Sequence, residues 1–158
     1  DYITKPFEQE LLVARAGNLL KTKSNLQRYF YNEITLQENY QKISGQDKDF
    51  LEKCISIVEG HLEDDQFEIK KMADELCMSH SNLYKKIHHI SGYSASGFVR
   101  FVRLRKAAEL FITTRYNVSE TAFMVGFNDV KYFRMQFQKL FGMTPSAYIK
   151  KYRKVLGA

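Results

Sequence analysis

Apolar residues recur at helical spacing along most of this chain, and the gaps between the runs divide it. After Pro6, Leu12, Ala16, Leu19, Leu26 and Phe30 follow at intervals of four, three, seven and four. That is a heptad-like seam, interrupted by Lys23. It predicts a long N-terminal helix packed on its own domain or on a second copy. Residues 34–47 hold no clear period, and the Ser44-Gly45 step followed by Asp47 as N-cap marks a linker into a new helix. Phe50, Leu51, Cys54, Ile57, Val58 and Leu62 then form one stripe of an amphipathic helix ending near His61.

From there the pattern repeats. Ile69, Met72, Ala73 and Leu76 predict a short helix, Cys77-Met78-Ser79 a break, and Leu83, Ile87 and Ile90 a second helix before Gly92. Val118, Ala122 and Val125, the break Gly126-Phe127-Asn128, then Phe133, Phe137 and Leu140 before Gly142 repeat the series at an offset of 49 before the break and 50 after it. Two short helices joined by a tight turn make a helix-turn-helix, and the chain holds two.

The joining segment, from Ser94 as N-cap to about Thr113, is helical by the spacing of Leu104, Ala107, Ala108 and Phe111. Its nineteen or so residues span roughly 28 Å at ~1.5 Å each, against about 34 Å between successive major-groove faces of B-DNA. The two second helices can therefore reach adjacent grooves if this spacer is rigid and tilted. Thr144 as N-cap with Pro145 at the first helical position starts a final helix, basic at its end, that buttresses the second motif. The expected fold class is all-α: two helix-turn-helix subdomains joined by a long linker helix, preceded by an extra N-terminal helix.

Charge sharpens the picture. The net charge is +6, yet residues 1–68 carry 8 Lys+Arg against 13 Asp+Glu while residues 69–158 carry 16 against 5. The basic half is the footprint of a surface that neutralises phosphates. With 44% hydrophobic and 14% aromatic residues the chain can bury a core. It has neither a membrane-length apolar run nor a secretory signal pattern, so a cytoplasmic location is expected. Cys54 and Cys77 lie in helical apolar patterns without metal-ligand spacing, which predicts two buried thiols.

On the first second-helix, the side opposite Leu83, Ile87 and Ile90 presents Ser81, Lys85 and His88, flanked by Asn82, Tyr84 and His89. Asn pairs with adenine edges, Lys with guanine O6 and N7, and hydroxyls and imidazoles also bond phosphates. On the other, Lys131, Arg134, Met135 and Gln138 face away from Phe133, Phe137 and Leu140, with Val130 near the start. Arg134 and Gln138 suit polar contacts, Val130 and Met135 thymine methyls. His80, His88 and His89 lack a Cys, Asp or Glu at ligand spacing within their helix, so no metal is expected. No nucleophile elbow, phosphate-cradling glycine loop or HExxH occurs, so neither cofactor nor catalysis is expected.

IKKMADELCMSHSNLYKKIHHISGYS, RLRKAAELF and VSETAFMVGFNDVKYFRMQFQKLFGMTPSAYI together resemble the DNA-binding domain of the arabinose-regulator (AraC) family of bacterial transcription factors, over roughly residues 50–155. The resemblance implies seven helices, two of them major-groove recognition helices, with base contacts from the positions of Ser81, Tyr84, Lys85, Lys131, Arg134 and Met135. The chain departs from the family pattern at Cys77, where glycine is common, at Ala95 and Gly97, which replace a proline and an acidic residue, and at Met135, often polar or basic. DYITKPF resembles the end of a response-regulator receiver domain, in which Lys5 is the signalling lysine that contacts a phosphoryl group. Residues 1–33 are then a receiver remnant and signalling helix, 34–47 a linker and 48–158 the double helix-turn-helix.

This combination is similar to hybrid two-component regulators, in which sensor, histidine kinase, receiver and DNA reader share one chain, often controlling polysaccharide-use genes. The sequence is accordingly expected to be a non-enzymatic piece of a longer hybrid histidine kinase anchored in the inner membrane, with the phosphoacceptor aspartate upstream of Lys5. Its expected partner is double-stranded DNA bearing two adjacent major-groove half-elements, and a homodimer and an RNA polymerase contact are compatible with it. The alternative is a basic interaction module that docks an acidic protein with little base readout.

Overall fold

The computed structural model describes residues 44–153, which form seven helices: α1 Gly45–Gly60, α2 Ile69–Glu75, α3 His80–Ser91, α4 Ala95–Thr113, α5 Val118–Met124, α6 Val130–Phe141 and α7 Pro145–Tyr152. The N-terminal seam and Lys5 lie outside the described residues. Among the described residues there is no strand, so the all-α expectation holds.

Side-chain caps fix where the helices begin. Ser94 Oγ accepts from the Gly97 N–H at 3.1 Å and Thr144 Oγ1 from the Ala147 N–H at 3.2 Å, as the sequence predicts. α1 differs. Its N-cap is Ser44, whose Oγ accepts from Asp47 N at 3.1 Å, so Asp47 sits inside the first turn and the helix starts earlier than the predicted cap. A carboxylate in the first turn still favours the positive end of the helix dipole. α5 opens with a full capping box: Asn117 and Glu120 exchange backbone-to-side-chain bonds, both 2.8 Å.

Two cores result, and α4 serves both. Phe98, Val99 and Val102 of α4 close over Leu51, Cys54 and Val58 of α1, Met72 of α2, and Leu83 and Ile87 of α3. The C-terminal half of α4, through Leu104, Ala108, Phe111 and Ile112, packs with Ala122, Phe127, Phe133, Phe137, Tyr148 and Tyr152. Phe111 meets Phe137 edge-on at 5.5 Å between ring centroids, and Phe137 meets Tyr148 at 5.3 Å.

The internal repeat is longer than the helix-turn-helix. Ser44, Ser94 and Thr144 recur at intervals of 50 and all three are N-caps. Ser79 and Asp129 cap the second helices, and Gly92 (φ 77°) and Gly142 (φ 74°) end them in the left-handed conformation. α4 is therefore the closing helix of one unit, as α7 is of the other, and at the same time the opening helix of the second unit, as α1 is of the first.

Arginines at matching positions clasp the two units. Arg153 donates through Nε to the Phe111 carbonyl (2.8 Å) and through Nη2 to that of Tyr116 (3.0 Å), capping the end of α4. Arg103, 50 residues earlier and only 7% exposed, reaches the segment after α1: Nη1 donates to Leu62 O at 2.9 Å and Nη2 to Asp64 O at 3.0 Å. Its Nη1 also donates to Val125 O at 2.7 Å, at the end of α5. Burial pulls the guanidinium pKa down, and Asp64 and Asp65 oppose that pull.

The turns of the two motifs also correspond. Gly126 has φ 88°, and a Cβ there would fall on Arg103 Nη1 and 2.5 Å from Leu62 O, so the position needs glycine for both backbone and space. Its counterpart Cys77 takes the same region at φ 54° with a side chain attached. Cys77 lies in the turn between α2 and α3 and is exposed, contrary to the expectation of two buried thiols, while Cys54 is fully buried.

Candidate nucleic-acid interface

α3 and α6 each bury one narrow stripe, Leu83, Ile87 and Ile90 in the first and Phe133 and Phe137 in the second. At about 100° per residue, the positions three and four apart on the far side are left to solvent. Ser81, Asn82, Tyr84, Lys85 and His88 are all exposed on α3, and Lys131, Arg134, Met135 and Gln138 on α6. Val130 differs, being half buried against the second core, so Met135, 56% exposed, is the apolar candidate that stands clear.

The repeat pairs these positions one to one. Ser81 matches Lys131, Asn82 matches Tyr132, Tyr84 matches Arg134, Lys85 matches Met135 and His88 matches Gln138. The two helices thus offer the same face with different chemistry. Reading different bases with equivalent frames requires that combination.

Electrostatics favour an anion on both faces. Neither α3 nor α6 contains Asp or Glu, and among the described residues no ion pair engages Lys85, Lys131 or Arg134. The nearest carboxylate to α6 in sequence, Asp129, is engaged as its cap, its Oδ1 accepting from Lys131 N at 2.9 Å and Tyr132 N at 3.2 Å. Lys86 points elsewhere, its ammonium 4.5 Å from the Phe50 ring centroid on α1.

Sequence reasoning missed the flank of α6 that turns toward α4. Arg100 Nη1 donates to Tyr132 Oη at 3.3 Å, and beside them a cleft of about 270 Å³ opens between α4 and α6, lined by Arg100, Lys139 and Gln136 over Phe101 and Leu140. Extending the 50-residue offset past the helix-turn-helix pairs Arg100 with Phe50 and Lys139 with His89. That signal was present in the sequence: the second copy has the more basic flank.

A family model described as a helix-turn-helix domain matches residues 72–151, half of the chain, and the arabinose operon regulatory protein of Salmonella typhimurium is 32% identical over 91 residues, 58% of this chain and 32% of that protein. The chain belongs to the AraC-type helix-turn-helix family of DNA-binding transcription regulators. The seven helices of the described residues agree in number with what the resemblance implies. The AraC-type chain is also 34% identical over 152 residues to histidine kinase P4 of Formosa agariphila, covering 96% of this chain but 11% of that protein. Among solved structures it is similar to the DNA-binding domain of AdpA in complex with a target DNA, at 26% identity and a TM-score of 0.58, covering 66% of this chain and 93% of that one. The chain thus spans about a tenth of the kinase relative and about a third of the arabinose regulator.

Proposed function

We propose that this chain is the DNA-reading output of a hybrid two-component regulator, with α3 and α6 entering two successive major-groove segments on one side of the duplex. The observation that carries the reading is the pair of equivalent, exposed, carboxylate-free helix faces on one shared spacer, α4, whose 19 residues span about 28 Å at ~1.5 Å each. Ser81, Asn82, Tyr84, Lys85 and His88 read the first half-element, and Lys131, Arg134, Met135 and Gln138 the second, with Val130 supporting the start of α6. The similarity to a histidine kinase over nearly the whole chain supports assigning residues 1–33 to the end of a receiver domain, with Lys5 as its signalling lysine, and the expected linker 34–47, whose last three residues fall in α1, to delivery of the signal. The longer protein is then a membrane-anchored kinase with its reader in the cytoplasm, acting on polysaccharide-use genes. Pairing of two copies through the N-terminal seam and contact with RNA polymerase fit that role.

The test is selection of bound duplexes from a randomised pool, followed by titration at two salt concentrations. A two-part site with half-elements about one helical turn apart is expected. A direct base contact contributes about 1–3 kcal/mol, so Lys85→Ala and Arg134→Ala should each weaken the best site by about fivefold or more. A double variant that binds the selected site as tightly as wild type sinks the reading. Salt-dependent but sequence-blind binding would instead point to an acidic protein partner.

A further inference from the structure

We propose that Arg103 sets the spacing at which the two half-elements must lie, by locking the α6 reader to the α3 unit. This rests on the DNA-reading function proposed above. Arg103 lies at the middle of α4, where the helix passes from one core to the other. Its planar guanidinium holds three carbonyls at once. Leu62 and Asp64 follow α1 and belong to the first unit, and Val125 ends α5 in the second. The fork geometry of arginine spans partners that a point charge on a flexible stem cannot hold together.

The repeat shows which of these bonds is extra. Arg153 stands at the matching position of the second unit and makes the corresponding clasp, to Phe111 O and Tyr116 O, both inside its own unit. Clasping the end of the opening helix or the segment just after it is therefore what each unit uses for itself. The bond to Val125 O is the addition. It lands on the turn from which α6 hangs, four residues before the Asp129 cap, and the same turn keeps a glycine where any Cβ would displace the guanidinium. A further bond from α4 to the α6 reader, Arg100 to Tyr132, is exposed, longer at 3.3 Å and touches no element of the first unit besides the shared α4, so the buried bond dominates the coupling.

Each base pair inserted between half-elements moves the second by about 3.4 Å and about 35° around the duplex. Only a pair of readers held at a fixed mutual orientation discriminates against such a shift; a loosely hinged pair follows it. The experiment is a spacing series: the selected two-part site and versions with one or two base pairs added or removed, titrated with the full chain, with thermal melts of each protein alongside. Wild type should lose at least tenfold in affinity one base pair from the optimum. Arg103→Met should flatten that penalty to about threefold or less while retaining preference for each half-element sequence. Arg103→Lys, which keeps a cation under the segment after α1, is the second variant should the methionine form not fold, and it should fall between the two. Arg153→Met should lower the melting temperature yet keep the wild-type spacing profile.

An unchanged profile in the folded Arg103 variants overturns the inference and leaves the DNA-reading function standing. Equal flattening in Arg153→Met also overturns it, since general loosening would then account for the effect. Wild-type binding with no sequence preference overturns the functional reading, and the spacing role with it.

Discussion

Reciprocal substitutions in the two turns test whether their backbones are under the stress that the φ angles imply. Cys77 holds φ 54° with a Cβ, while Gly126 holds φ 88° without one. The left-handed region costs a non-glycine residue roughly 1–2 kcal/mol. Glycine returns about 0.5–1 kcal/mol of that through the entropy it loses on folding. Cys77 is exposed and buries no side chain that would be missed. Cys77→Gly is therefore expected to stabilise by about 0.5 kcal/mol, or about 2 °C in Tm at roughly 4 °C per kcal/mol.

Gly126→Ala acquires the same 1–2 kcal/mol of strain, and its Cβ displaces Arg103 Nη1 from Leu62 O and Val125 O. Hydrogen bonds to a charged group contribute about 1.5–3 kcal/mol. With one such bond lost and the 0.5–1 kcal/mol of glycine entropy recovered, the whole change costs about 3 kcal/mol at mid-range, a Tm lower by about 12 °C on the same scale. Thermal and urea unfolding followed by far-ultraviolet circular dichroism reads both. In an Arg103→Met background the same alanine should cost less, because the displaced group is gone. A Cys77→Gly protein that melts several degrees lower, or a Gly126→Ala protein within 2 °C of wild type, would refute the reasoning.

Two further outcomes follow from burial. The Cys54 thiol, pushed up to about 12 by desolvation, stays protonated and inert between pH 7 and 9, so a thiol reagent should label one site, Cys77, rapidly in the native protein and the second only on unfolding; fast labelling at both refutes the placement of Cys54. Thr121 is fully buried and its hydroxyl has no hydrogen-bond partner among the described residues, so Thr121→Val should raise stability by about 1 kcal/mol in urea unfolding, and a loss of stability would mean that a partner exists.

Much of this fold is legible in the chain because most helices bury a single stripe. Leu83, Ile87 and Ile90 stand out because the other sides of α3 are wet, and the caps Ser94 and Thr144 because each is a hydroxyl residue just before an apolar helical run. α4 is the exception. It is covered on several sides, and burial of Arg103, Arg105 and Glu109 among apolar residues blurs the period that would reveal which face meets which core. Glu109, held at 3.1 Å by Lys106, reads in sequence as an ordinary surface charge. The Ser44 cap was missed for Asp47 because both residue types cap well and only the path of the chain decides. Cys77 was expected inside because it continues the apolar pattern of α2, whereas the helix has ended before it and it sits exposed in the turn. The exposed faces of α3 and α6 were readable as the complement of the buried stripes. Arg100 and the cleft beside Tyr132 depend on how two distant segments are brought together.

α4 is common property of two cores, and this couples the fates of the two readers. Were it to melt, Phe98 and Val102 would leave one hydrophobic cluster at the same moment as Phe111 and Ile112 left the other. Neither unit can open alone while its neighbour keeps the helix. The two behave as one cooperative element, as neighbouring repeats do when the interface between them is a shared part of both. Amide protons of α2 and α6, on opposite sides of the molecule's internal boundary, should then reach the same ceiling of protection against exchange.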